Sequence, residues 1–196
     1  MVTAGRTGKF VLQVAALADK ATWAAAYEVL DRAGPLAVDD IVAGMSRPDG
    51  SDKKGRRVRK FCAALLDHNA DARSVGALVG ALKDADAGVR RLAVHAIGCQ
   101  RCKHTPLDID VVALLIDTIN HDPSVKVRQV AAHMLGNQAL NHGAADPRAI
   151  AALTHAAAVS SNAKLRSNAN WSLAQHRAKE IQPTAARHSC ERVSAL

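Results

Sequence analysis

Four side chains near the middle of the chain have the types and spacing of a metal site: His95, Cys99, Cys102 and His104. Imidazole and thiolate donors at i, i+4 and i+7 fall on one side of a helix, and four N or S donors in a tetrahedron suit a soft or borderline cation such as zinc or iron. His68 and His133 are candidates to reach this cluster from flanking helices. The competing reading is two half-buried thiols beside surface histidines, because the sequence has a single Cys-x-x-Cys and Gly98 is placed to end the helix before Cys102. His95 one turn from Cys99 also has the spacing of a base beside a thiol nucleophile. A helix C-terminus disfavours the thiolate, and on this stripe only Asn137 has a side chain able to orient the histidine, so no catalytic residue is assigned.

Positioning such a stripe requires regular helices, and the composition calls for them. The chain has 196 residues, of which 48% are hydrophobic but only 3% aromatic, with 40 alanines. A core of such small side chains favours closely packed helices over sheets. An apolar residue followed by arginine recurs as Val58-Arg59, Val89-Arg90, Val127-Arg128 and Leu165-Arg166. After each anchor, apolar or small residues follow at offsets 3, 4, 7 and 8, for example Leu92, Ala93, Ala96 and Ile97, which is the period of an amphipathic helix. In the last unit these positions hold Asn168, Ala169, Ser172 and Leu173, the degraded pattern of a terminal cap. Ahead of each anchor lies a second apolar stretch: Leu36 to Met45, Val75 to Leu82, Val111 to Ile119 and Ile150 to Val159. Ala21 to Leu30, with Val11 to Ala18 before it, supplies an earlier unit. The expectation is an all-α stack of four to five helical hairpins over residues 10–177, after a flexible N-terminus (1–9) and before a disordered tail (178–196).

Offsets 2, 6, 10 and 13 from each anchor share a stripe turned away from the core positions. It carries Lys60 and His68, then Arg91, His95, Cys99 and Cys102, then Gln129, His133 and Asn137, then Ser167, Trp171 and Gln175. Among these residues, histidines, thiols, amides and a tryptophan, with no acid beside them, mark a binding face rather than a merely solvated one. His95, His133 and Trp171 share one offset, so stacking the units sets them in a row. Trp171 with Gln175 and His176 either caps a groove for a peptide or base, or packs on the tail. Cys62, at a core offset, reads as packing.

The pattern Leu-x-x-x-Leu, then Asp-x-x-x-x-Val-Arg, then Ala-x-x-x-Leu-Gly, closest in residues 74–136, resembles HEAT repeats of the short type found in phycobilisome lyases. The resemblance extends less sharply over residues 21–176. It implies a right-handed superhelix whose second helices line the concave face. It also implies a ladder of turn aspartates and Val-Arg arginines, mapped here to Asp84 with Arg90 and Asp122 with Arg128 and ending where Ser160 replaces the acid. Such lyases attach bilins to cysteines, but a shared repeat is a weak warrant for shared activity. DNA-base glycosylases of similar architecture need a carboxylate near the extruded base, which this stripe lacks.

More than half of the formal net charge of +8 falls in residues 47–60, whose first part is read as a long basic loop over 46–57 with Lys53, Lys54, Arg56 and Arg57. Its partner is then an acidic protein or a nucleic acid, the latter bound without sequence preference. No apolar run is long enough to span a membrane, no secretory signal pattern opens the chain, and the cysteine usage suits a cytoplasmic protein. The best reading is a scaffold binding a protein or peptide on its concave face, with metal or thiol sensing as the alternative and nucleic-acid binding as the second alternative.

Overall fold

The computed structural model of the protein describes residues 8–46, 52–99, 103 and 106–181, and among them every regular element is helical. The chain forms α1 (Val11–Ala16), α2 (Trp23–Ala33), α3 (Val38–Met45), α4 (Lys53–Asn69), α5 (Val75–Ala81), α6 (Ala87–Gly98), α7 (Val111–His121), α8 (Val125–His142), α9 (Pro147–Val159) and α10 (Ala163–Ile181). Short 3-10 turns, Gly34–Ala37 and Ala72–Ser74, lead into α3 and α5. Aspartates start most of the longer helices. Asp52, Asp86, Asp110 and Asp146 each accept a first-turn backbone N–H of α4, α6, α7 and α9, satisfying donors that the helix itself leaves open.

Consecutive helices pair as hairpins, α1 with α2 through α9 with α10, and the hairpins stack. The second helices α4, α6, α8 and α10 pack each on the next, whereas the first helices touch more lightly. Small residues make the tight layer: Ala63, Ala93, Ala96, Ala131, Ala132 and Ala169 have no exposed surface. Two glycines bring the second helices closer still. A Cβ on Gly98 would lie 2.6 Å from Met134, and one on Gly136 would lie 2.8 Å from the backbone of Ser172. Of the repeat positions, offsets 4, 7 and 8 are buried in α4, α6 and α8, while offset 3 (Phe61, Leu92, Val130) is half-buried at the edge of the stripe.

The arginine ladder connects neighbouring units rather than closing within one. Arg59 donates to Asp84 at 2.6 Å, and Arg90 donates to both carboxylate oxygens of Asp122, at 2.8 and 3.0 Å. Within its own unit the arginine instead reaches a turn carbonyl: Arg90 to Asp84, Arg128 to Asp122, Arg166 to Ser160. A guanidinium has enough donors to do both, which ties each turn to the helix before it and the helix after it.

Three sequence expectations need correction. The basic stretch expected as a loop over 46–57 is helical from Lys53, because Asp52 caps Lys54 and Gly55 and because Gly55, Val58 and Arg59 are buried against the stack. Residues 47–51 lie outside the described ones. Secondly, α10 continues past residue 177 to Ile181 through helix-forming Ala178, Lys179 and Glu180. The flexible segment expected over 1–9 and the tail over 178–196 lie outside the described residues except for Gly8, Lys9 and the end of α10. Thirdly, the last unit is not a frayed version of the others. Asn168, Ser172 and His176 donate to the backbone carbonyls of Gln129, Ala132 and Leu135, forming a polar seam between α8 and α10. Ser172 and His176 have no exposed surface, so His176 does not cap a groove.

Candidate functional site

The stripe on the second helices carries two constellations. The first is a groove of about 800 Å³ where the α1–α2 turn meets the first half of α4 and the start of α6. Lys53, Lys54, Arg56 and Arg57 come from the first turns of α4, Lys20 from the α1–α2 turn and Arg91 from α6. Phe61, Ala64 and Leu92 form its apolar floor, and Asp19 is the acid in its lining. Cations crowded at a helix N-terminus oppose the macrodipole, so stability does not explain their placement. Asp86 compensates part of the charge: Lys60 Nζ lies 3.3 Å and Arg56 Nε 3.6 Å from its carboxylate. Lys60 is therefore half-buried in an ion pair at the groove wall. The ring of Phe61 is covered by Trp23, stacked at 4.6 Å, and by Tyr27, edge-on at 5.9 Å. Trp23 thus covers one face of that ring.

The second constellation lies one unit further on. His95 donates from Nδ1 to Asp67 Oδ1 at 2.9 Å, and Cys99 completes a group in which one donor atom of each residue lies within 4.8 Å of the others. His68, exposed at the end of α4, lies 3.5 Å from the other oxygen of Asp67. The expected quartet is thus changed. His95 and Cys99 do meet, but Asp67 joins them, and Cys102 and His104 lie outside the described residues. Cys99 is not on the helix either: α6 ends at Gly98, and Cys99 is an extended cap whose N–H donates to the His95 carbonyl at 2.8 Å.

An acid beside the stripe was not foreseen, although the repeat contains the signal for it. Asp67 stands nine residues after its anchor, the place taken by Gly98 and Gly136 in the next two units. In those units a Cβ there would point into the next second helix, at Met134 and at Trp171 and Ser172. A carboxylate at that offset therefore points at α6 and meets His95, which also supplies the orienting acid that the sequence reading found missing.

Beyond this group the stripe is uncharged. His133 stacks on Trp171 with ring centroids 4.4 Å apart, and burial, followed by the charges of His95 and Lys164, holds the His133 imidazolium below its ordinary pKa. Asn137 donates to Met134 Sδ and Gln175 to the Trp171 carbonyl, so both amides are turned to their own helices. Trp171, at the end of the row, is an exposed large apolar side chain. The arrangement can receive an anionic segment at one end and an aromatic or apolar one at the other. The sequence matches no protein-family model, and no curated protein resembles it significantly. No helix among the described residues is long and apolar enough to cross a membrane.

Proposed function

We propose that this protein is a HEAT-type helical-repeat scaffold that binds an acidic segment of a protein or peptide along its second helices. The observation that carries the reading is the cationic groove on α4 and α6, whose cations crowd a helix N-terminus around the compensating carboxylate of Asp86, and whose floor is apolar. A peptide with acidic residues for the groove and an apolar or aromatic residue for Trp171 suits both ends of the stripe, since solenoid faces recognise extended segments over several units. Nucleic acid is the lesser reading for two reasons: among the described residues the stripe beyond Arg91 carries amides, histidines and Trp171 rather than Lys or Arg, and Trp23 already covers one face of Phe61.

The test is fluorescence anisotropy with a labelled peptide of alternating glutamate and leucine, alongside an oligodeoxynucleotide of equal charge. The expected result is preferential binding of the peptide, weakened more than about tenfold in the double charge reversal Arg57→Glu/Arg91→Glu. Tighter binding of the oligonucleotide, or equal peptide binding by the reversal variant, overturns the proposal.

A further inference from the structure

We infer that Asp67, His95 and Cys99 form a binding site for one borderline divalent cation, zinc being the natural occupant. The donors are one carboxylate, one imidazole and one thiolate. A thiolate disfavours magnesium and calcium, while the mixed N, O and S set is what zinc and cobalt accept. In a tetrahedral zinc site neighbouring donors sit roughly 3.5 Å apart, given metal–ligand bonds of about 2.0–2.3 Å. The three donor atoms already lie within 4.8 Å of one another, close to that spacing.

The framework around the site is fixed. Asp67 is in the last turn of α4, and the packing of α4 on α6 sets its distance to His95. Cys99 is held as the cap of α6 by its own N–H, while its carbonyl accepts from Lys103 Nζ at 2.6 Å and the Gly98 carbonyl accepts from buried Gln138 at 2.7 Å. A carboxylate and a thiolate together neutralise a dication, so loading leaves no net charge between the helices. Three protein ligands leave a fourth position, which opens to solvent on the side where His95 is 42% exposed.

Cobalt(II) titration of the full-length protein, purified without a tag and stripped with a chelator, tests the site by spectroscopy independently of any peptide binding. The expected result is a thiolate-to-cobalt charge-transfer band with visible bands of tetrahedral intensity, saturating at one equivalent and bleached by zinc. Cys99→Ser should abolish the charge-transfer band, and Asp67→Asn and His95→Gln should each weaken cobalt binding by roughly tenfold or more. Cys102→Ser should leave the band in place, and circular dichroism identifies any variant that has lost its helices. The site is disproved if no charge-transfer band forms at one equivalent, or if the band survives in folded Cys99→Ser.

Discussion

Arg90 reaches across the stack to Asp122, one unit further on, with two parallel hydrogen bonds to its carboxylate, and both side chains are nearly buried. A cation held this way fixes the register between successive hairpins as well as their contact. Removing one partner strands the other charge in the interior, so Arg90→Ala should lower the unfolding free energy by about 3 kcal/mol in urea titrations. The double variant Arg90→Ala/Asp122→Ala should cost clearly less than the sum of the two single ones. Additive losses would mean the pair is not coupled. The Arg148 bridge to Asp110, exposed on both sides, serves as the control, and its loss in Arg148→Ala, which leaves the Asp110 cap in place, should keep the urea midpoint near that of the parent.

Glycine has opposite meanings in two helices of this stack. At Gly136 a methyl group would meet Ser172 and Trp171 at less than 3 Å, whereas at Gly80 nothing lies within 4 Å. Gly136→Ala should therefore destabilise by roughly 1–3 kcal/mol, and Gly80→Ala should stabilise by up to about 1 kcal/mol, both read from urea midpoints at constant m-value. Equal effects of the two substitutions would refute the close approach of α8 and α10.

His133 should make the stack sensitive to mild acid. Its folded-state pKa lies below the ordinary histidine value because of burial first, then His95 and Lys164. As pH falls, the unfolded chain takes up this proton first, so stability drops through the ordinary range near about pH 6.5 and levels off below the folded value. The stacked Trp171 reports the titration, since an imidazolium quenches indole fluorescence. In a Trp23→Phe background, the quench should have a midpoint below about 6.5 and vanish in His133→Gln. A midpoint at or above that value contradicts the burial effect.

His176 closes the α8–α10 seam at its C-terminal end. Its Nε2 donates to the Leu135 carbonyl at 3.0 Å, and its Nδ1 accepts the N–H of Asp146, the cap of α9, at 3.2 Å. The two partners fix the tautomer, and one ring joins three helices. His176→Ala leaves a cavity and an unpaired backbone donor, a loss of about 2–4 kcal/mol by chemical denaturation. A change below about 0.5 kcal/mol would show that water replaces the ring.

Much of the architecture was legible in the chain itself. The Val-Arg anchors with apolar residues at helical offsets, the polar turns with capping aspartates, and the scarcity of aromatics determine hairpins of small-residue helices, because helical periodicity is a local property of sequence. The tertiary structure decided what depends on the distance between units. It set which aspartate each arginine meets, since a guanidinium spans from one turn to the next. It turned Asn168 and Ser172 from apparent decay, and His176 from a groove residue, into a hydrogen-bonded seam, because carbonyls of α8 lie opposite them. It also brought Asp67 to His95 and Cys99, a meeting across two helices fixed by how closely α4 and α6 pack.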